Sequence, residues 1–150
     1  MEFRYEPLDY LLKTGLPRLA EECFDQMDDG FYAEVYSPNW QMYSDIESRK
    51  DLGFLAMREG DELKGYAVIK INEDIHQKGV RIALLHDIYI TETKRGYAPQ
   101  FFRFIEDFVR KMDVRRIDVA ERLSFDAGRG GAGKFYEFIG FKRMEVIWSK

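Results

Sequence analysis

Hydrophobic residues along this 150-residue chain recur with two different periods, and each change of period predicts a boundary between helices and strands. Residues 8–27 have apolar positions at helical spacing, which predicts an amphipathic helix interrupted near Gly15 and Pro17. A second helix is predicted at residues 40–49, with the Pro-Asn pair that precedes it near its start. A third predicted helix follows residue 97, and its apolar stripe consists of Phe101, Phe102, Ile105, Phe108, Val109 and Met112.

Apolar runs bounded by turn residues predict the strands of a sheet. A hairpin turn is predicted at residues 59–62, and a short helix at 132–139 with Gly140 as its C-terminal cap. The order is helices, a meander of three strands, then helix, strand, helix and strand, which predicts one mixed α/β domain over residues 1–150. The predicted strands are residues 3–5, 52–58, 63–71, 80–90, 114–120 and 144–148.

The turn between the strand at 80–90 and the third helix carries the most informative chemistry. A turn that opens directly into a helix leaves backbone N–H groups free at the positive end of the helix dipole. Such a site suits a phosphate group, and a glycine lets the backbone approach it closely. We therefore predict that a phosphate-bearing cofactor binds at this junction. The turn consists of Thr93, Lys94, Arg95, Gly96, Tyr97 and Ala98.

Composition limits the function classes. The net charge of −4 argues against broad binding to nucleic acid and mildly favours cationic substrates. Cys23 is the single cysteine and no apolar run could span a bilayer, so we expect a cytoplasmic protein with no membrane partner. His76 has no second ligand at useful spacing, and we predict no metal site.

Two motifs, in this order and spacing, resemble those of the GNAT superfamily of acetyl-CoA-dependent N-acetyltransferases. The first is a strand, Asp87-Ile88-Tyr89-Ile90, followed by Arg95-Gly96-Tyr97-Ala98 and an apolar helix. It is similar to the family's cofactor loop, Gln/Arg-x-x-Gly-x-Gly/Ala. The second motif is Ala132-x-x-Phe135-Tyr136-x-x-x-Gly140-Phe141.

The resemblance extends from about residue 52 to the C-terminus and implies a fold as well as an activity. The implied fold is an α/β domain whose mixed sheet of six to seven strands is flanked by about four helices, with a splay between the fourth and fifth strands. The implied activity is transfer of an acetyl group from acetyl-CoA to a primary amine of a small molecule, protein or peptide, by direct attack.

The chain also departs from the family motifs. Thr93 stands where Gln or Arg is usual if Gly96 and Ala98 occupy the glycine positions. If Arg95 instead occupies the Gln/Arg position of the family motif, the end of the turn matches the motif less well. A turn that is about two residues shorter than the family's loop would reconcile these two alignments. Arg129 stands where the family often has an asparagine that contacts the cofactor.

The resemblance implies a role for each part of the cofactor site. The fourth strand of the family commonly carries a bulge, so the main chain of Ile88 and Ile90 is expected to bind pantetheine. Tyr136 is the candidate general acid, because a phenol of pKa about 10 can protonate a departing thiolate of pKa about 8.5. The full expected cofactor set is Ile88, Tyr89, Ile90, Thr93, Lys94, Arg95, Gly96, Tyr97, Ala98, Arg129 and Tyr136.

The general base is left open among several groups. His86 and Asp87 lie just upstream of the cofactor strand, and strand alternation allows only one of them to face the cleft. Asp87 could also anchor a cationic amine, while Glu121 or a water relay could replace both as base. Aromatic and acidic residues before and within the second helix could hold an alkylammonium group by cation–π contact and charge. These are Tyr32, Glu34, Tyr36, Trp40 and Tyr43.

A narrower resemblance, to acetyltransferases of bacteriophages and prophages, would place the protein in the cytoplasm of an infected host. It rests on Tyr43-x-x-Ile46, Gly53-Phe54-Leu55, Gly65-Tyr66, His76 and His86-Asp87-Ile88-Tyr89. The imperfect cofactor motifs also allow an alternative, a catalytically weak or inactive protein of the same fold that binds a host protein. An exposed last strand could pair in a homodimer.

Overall fold

The computed structural model of this protein describes residues 1–27, 36–119 and 131–142. The chain divides into two compact units, Met1–Ala120 and Glu121–Lys150, and each is described by itself. The prediction of one domain over the whole chain stays a prediction. Elements of the first unit are β1 (Glu2–Tyr5), α1 (Leu8–Lys13), α2 (Leu16–Met27), α3 (Trp40–Ser48), β2 (Leu52–Glu59), β3 (Glu62–Glu73), β4 (Arg81–Ile90), a 3-10 helix (Glu92–Tyr97), α4 (Ala98–Arg110) and β5 (Arg116–Val119).

The described strands form one mixed sheet in the order β1-β2-β3-β4-β5. β1 to β4 are antiparallel neighbours, and β5 runs parallel to β4 after the crossover through α4. The mixed α/β class is therefore confirmed, with five strands and five α-helices in the described ranges. The predicted six to seven strands are not confirmed, because the strand expected at 144–148 lies outside the described residues.

Local sequence signals explain where the first helices begin and end. Gly15 adopts φ +123°, a conformation that side-chain-bearing residues rarely take, and it separates α1 from α2 as the sequence predicted. Asn39 caps α3, since its side-chain oxygen accepts a hydrogen bond from the Met42 amide at 3.0 Å. None of the helices within these ranges is both long enough and apolar enough to cross a membrane.

The two faces of the sheet bury different helices. One face, which includes Phe54 and Tyr66, packs in a single core with Leu11, Leu19 and Cys23 of α1 and α2. Each fully buried Leu or Phe there contributes about 1.5–3 kcal/mol. On the other face, α4 buries Phe101, Phe102, Ile105 and Val109, four members of its predicted stripe.

Aromatic stacking fixes α4 on its face of the sheet. The ring of Phe3 in β1 stacks on Phe101 at 5.6 Å between centroids, and Tyr5 stacks on Phe108 at the same distance. Gly53 in β2 lies directly below Phe108, because a Cβ added at Gly53 would meet that ring at 3.5 Å.

β4 contains one extra residue relative to β3. Ile69 pairs with Leu85 and Val68 pairs with Asp87, which leaves His86 without a counterpart and defines a β-bulge. The bulge that the resemblance implied for the fourth strand is thus present. β5 pairs with β4 only from Ile82 to Leu85, and the described part of β5 ends there at Val119. The predicted splay beyond this point stays a prediction.

A buried ion pair joins the start of the chain to the β2–β3 hairpin. Arg58, only 1% exposed, donates from Nε and Nη2 to the carboxylate of Glu6 at 2.8 and 2.7 Å. The same guanidinium donates to the Asp61 carbonyl at 2.6 Å and to the Thr14 hydroxyl at 2.7 Å. The guanidinium also lies over the ring of Tyr10, with its central carbon 5.4 Å from the ring centroid. All of these bonds depend on one side chain.

Glu6→Gln is expected to lower the free energy of unfolding by about 3–5 kcal/mol, because it leaves the buried Arg58 charge without its counter-ion. Urea unfolding measures the change. Arg110→Gln is the matched control: Arg110 is 74% exposed beside Glu106 and Asp107, and its loss should cost less than about 1 kcal/mol. Equal losses in the two variants would show that the buried pair contributes no more than a surface pair.

Candidate functional site

The bulge in β4 determines where the Asp87 side chain lies. Asp87 pairs with Val68, and Val68 and Tyr66 belong to the face of the sheet that α1 and α2 cover. The Tyr66 hydroxyl donates a hydrogen bond of 2.7 Å to Oδ2 of Asp87. Tyr66 itself is 1% exposed, so its ring is fixed by packing. Without the extra residue, Asp87 would point to the opposite face, toward α4.

Two further tyrosines lie within electrostatic reach of this carboxylate. Burial and then the negative charge of Asp87 raise the pKa of Tyr36 to about 12, with smaller effects from Tyr43 and other groups. The same two causes, in the same order, raise the pKa of Tyr43. Burial is also the larger cause of the raised pKa of Tyr66, followed by Asp87. We call these four residues, Asp87, Tyr36, Tyr43 and Tyr66, the Asp87 cluster.

The predicted acceptor side chains are only partly within the described ranges. Trp40 lies beside the cluster, with its ring centroid 5.6 Å from that of Tyr43. Tyr36 is half-buried against Phe24 of α2 at 5.2 Å. The structure therefore brings Tyr36, Trp40 and Tyr43 to the region of Asp87, whereas Tyr32 and Glu34 lie outside the described residues.

His86 differs from its neighbour in burial and contacts. It is exposed at the bulge, and its ring centroid lies 6.4 Å from that of Tyr43. Asp87 is partly buried and is bonded to Tyr66. Both candidates for the base therefore lie near a tyrosine, Asp87 bonded to Tyr66 and His86 beside Tyr43, while Glu121 lies outside the described residues.

The predicted phosphate turn is a 3-10 helix, Glu92–Tyr97, that runs straight into α4. The Lys94 amide donates to the Thr91 carbonyl at 2.8 Å, and the Ala98 amide donates to the Arg95 carbonyl. These two amides are thus used within the turn and are not free as the sequence suggested. The turn nonetheless lies at the predicted place, directly between β4 and α4.

Both basic side chains of the turn have partners in the first unit. Lys94 Nζ lies 2.6 Å from Oε1 of Glu59, and this bond raises the pKa of Lys94 and lowers the pKa of Glu59. Arg95 donates to the side-chain oxygen of Gln26 on α2 at 3.1 Å. Both contacts are exposed to solvent, so they hold the side chains only weakly.

Two observations leave room for a polar ligand at the turn. A Cβ added at Gly96 would meet nothing within 4 Å, so the packing of the protein does not explain why this residue is a glycine. Thr91 Oγ1 is buried and has no hydrogen-bond partner in the described part of the chain. A buried hydroxyl without a partner usually marks a water or ligand position.

A chain of side-chain hydrogen bonds connects the turn with β4 and α2. Gln26, which accepts from Arg95, donates to the Tyr89 hydroxyl at 2.9 Å. Tyr89 in turn donates to the Glu22 carboxylate at 2.5 Å. The sequence alone assigns no site role to Gln26 or Glu22, because their partners are distant in sequence and depend on the strand register.

The second unit contains α5 (Gly131–Phe138), on which Tyr136 lies. The ring of Tyr136 contacts Phe135 and Phe141, with centroids 6.1 and 6.0 Å away. Gly140, at φ +99°, ends the helix as the sequence predicted, and the Phe141 amide donates to the Tyr136 carbonyl at 2.9 Å. Arg129 lies outside the described residues, and the roles of Arg129 and Tyr136 stay predictions.

Comparison with known proteins gives the fold. No family model matches this sequence, and no curated protein sequence matches it. An aminoglycoside acetyltransferase from an uncultured soil metagenomic sample, in complex with sisomicin, is similar with a TM-score of 0.75 at 12% identity, over 99% of this chain and 93% of that chain. The chain has the fold of GNAT acetyltransferases.

Two other solved structures agree. Glucosamine-6-phosphate N-acetyltransferase from Arabidopsis thaliana matches with a TM-score of 0.71 at 14% identity, over 99% of this chain and 96% of that one. An aminoglycoside 6'-N-acetyltransferase from Acinetobacter haemolyticus matches with a TM-score of 0.69 at 15% identity, over 100% and 98%. At these identities the similarity concerns the fold alone.

We expect Tyr36 to titrate near its pKa of about 12, and Asp87→Asn to lower this pKa and that of Tyr43 without restoring the ordinary value, because burial remains. NMR titration of ¹³C-labelled tyrosines measures both, with Tyr36→Phe as the assignment control. A raised pKa in the folded state means that stability is lost as pH rises from about 10 towards 12. Titration of Tyr36 near 10 in the unmodified protein would contradict the burial and charge described above.

Proposed function

We propose that this protein is an acetyl-CoA-dependent N-acetyltransferase that acts on a primary amine of a small molecule, protein or peptide. The observation that carries the proposal is the fold, which is similar over nearly the whole chain to solved structures of acetyltransferases. Fold alone does not fix function, so the proposal also depends on two local features of the first unit. These are the bulge at His86 in β4 and the open space at Gly96.

The residues at the end of β4 and in the turn fit a phosphate-bearing cofactor. Gly96 offers unobstructed backbone, and Thr91 a buried hydroxyl without a hydrogen-bond partner among the described residues. Lys94 and Arg95 add positive charge in weak, exposed contacts. When bound, acetyl-CoA supplies a thioester whose acetyl group is open to direct attack by an amine. The proposed contacts are the main chain of Ile88, Tyr89 and Ile90, the turn residues Thr93, Lys94, Arg95, Gly96, Tyr97 and Ala98, and the side chains of Arg129 and Tyr136.

Each proposed catalytic group has a separate task. A main-chain N–H of the strand segment after the bulge, at Ile88 or Ile90, donates to the carbonyl oxygen as negative charge develops on it. The Tyr136 hydroxyl donates its proton to the departing sulfur. His86, Asp87, Glu121 or a water relay accepts the proton of the amine. The amine that accepts the acetyl group is bound by aromatic and acidic side chains, namely Tyr32, Glu34, Tyr36 and Trp40.

A binding protein of the same fold, for instance a phage factor that binds a host protein, is the second candidate. One observation favours it: two amides of the turn and both of its basic side chains already have partners within the protein. Arg129 in place of the family's asparagine points the same way. Such a protein would not respond to acetyl-CoA.

The unmodified protein is expected to bind acetyl-CoA with micromolar-range affinity by isothermal titration, and Gly96→Glu is expected to abolish binding. The variant should fold, because nothing lies within 4 Å of the added Cβ, but its carboxylate repels the diphosphate. Ile75→Glu, at a loop position that is 91% exposed, adds the same charge elsewhere and should bind normally. No heat signal from the unmodified protein at saturating acetyl-CoA would remove the transferase proposal and leave the binding protein.

Tyr136→Phe is expected to lower turnover by about 10²–10⁴-fold, the usual contribution of a general acid, while affinity for acetyl-CoA changes little. Steady-state kinetics with an amine acceptor and titration with acetyl-CoA measure the two quantities. The acceptor is first found by mass spectrometry of acetylated products from an amine mixture. Tyr10→Phe removes a phenol hydroxyl from a half-exposed position on α1 and should change neither quantity. Full turnover in Tyr136→Phe would reject the acid role.

A further inference from the structure

The Asp87 carboxylate is held in a fixed position. Tyr66 is fully buried among side chains of the main core, and its hydroxyl donates to Oδ2 at 2.7 Å. Tyr66 and Asp87 lie on adjacent strands two pairs apart in register, since Tyr66 pairs with Tyr89 and Asp87 pairs with Val68. The hydrogen bond therefore joins two side chains whose backbones are both anchored in the sheet.

Within the part of the chain that the structure describes, the groups near Asp87 include three phenols and the imidazole of His86, whose ring centroid lies 6.4 Å from that of Tyr43. Tyr66 comes from β3, Tyr36 from the segment before α3, and Tyr43 from α3, while Cys23 of α2 lies beside Tyr36 and Tyr66. All three tyrosines have raised pKa values, so each keeps its proton at neutral pH and none of them neutralises the carboxylate. Glu21 on α2 adds negative charge, since it also raises the pKa of Tyr36.

This arrangement favours a role of Asp87 as an anchor for a cationic amine over a role as the general base. A hydrogen bond donated to a carboxylate stabilises its ionised form, which makes the group a poorer proton acceptor and a better fixed anion. Aromatic rings beside a fixed anion are the usual surroundings of a bound alkylammonium group. A neutral ligand of the same shape would remove water from the carboxylate but would bring no positive charge to compensate for that loss, so it would bind poorly.

We propose that the Asp87 cluster is a binding site for the alkylammonium group of the acceptor, in which Asp87 is the anchor, Tyr66 positions it, and Tyr36 and Tyr43 form aromatic walls. Its use as an acceptor site rests on the proposed transferase function. The binding itself does not, because it requires only the first unit of the chain. Proton acceptance during transfer then falls to another group, such as the exposed His86 or water.

The probe is n-butylammonium chloride, titrated into the full-length protein without acetyl-CoA and followed by NMR of ¹³C-labelled tyrosines. Shifts are expected at Tyr36 and Tyr43, and none with n-butanol at the same concentrations. Asp87→Asn should weaken binding by at least about tenfold and Tyr66→Phe by about threefold, the larger effect coming from loss of the charge. Tyr10→Phe should bind like the unmodified protein. Equal binding of n-butanol, or unchanged binding in Asp87→Asn, would overturn the proposal.

A pH series tests the positioning role of Tyr66 and remains decisive if Asp87→Asn does not fold. Without the donated hydrogen bond the carboxylate takes up a proton more readily, so binding in Tyr66→Phe should be lost at a higher pH than in the unmodified protein. A purely structural role would weaken binding equally at every pH, and that result would reject the assignment of Tyr66.

Enzyme kinetics distinguish the anchor role of Asp87 from a role as the base, and they test the transferase function separately. With a turned-over amine, Asp87→Asn should raise KM and leave kcat within about threefold, because uniform binding of the acceptor is lost. A collapse of kcat at unchanged KM would identify Asp87 as the base and overturn the anchor role. If n-butylammonium binds but acetyl-CoA does not, the ammonium site stands and the transferase proposal falls.

Discussion

The pairing of β3 with β4 is the constraint on which the site depends. In a regular ladder, residues directly across from each other share a face, so one inserted residue moves everything beyond it to the other face. His86 is that residue, and it places Asp87 with Tyr66 among the helices while Leu85 stays on the α4 side. A carboxylate at the same sequence position in an unbulged strand would point to the face of the sheet on which α4 packs.

Charge is separated along β4 and the turn that follows it. The carboxylate of Asp87 lies near the middle of the strand, whereas Lys94 and Arg95 lie beyond its end. An acetyltransferase needs both positive and negative side chains, since its cofactor carries phosphates and its acceptor arrives as a cation. The net charge of −4 therefore predicts neither the negative charge at Asp87 nor the positive charge at the turn, because binding depends on local charge.

Features set by neighbours in sequence could be predicted, and features set by register could not. The break at Gly15, the start of α3 and four buried positions of α4 follow from short-range signals, and the structure confirms them. The Tyr66–Asp87 bond and the pair of Glu6 with Arg58, 52 residues apart, depend on which strand residues face each other. The sequence predicts the position of the turn but not its 3-10 form, because residues 92–97 carry no strong helix signal.

The occupied side chains of the turn do not by themselves argue against a cofactor. Exposed ion pairs contribute about 0–1 kcal/mol, because water competes for both partners. A diphosphate presents more negative charge than the single carboxylate of Glu59 or the neutral amide of Gln26, so Lys94 and Arg95 would exchange these partners at small cost. Release of Gln26 would also free the far end of the chain of hydrogen bonds through Tyr89 to Glu22. The same contacts that hold the turn thus give α2 a direct connection to the segment between β4 and α4.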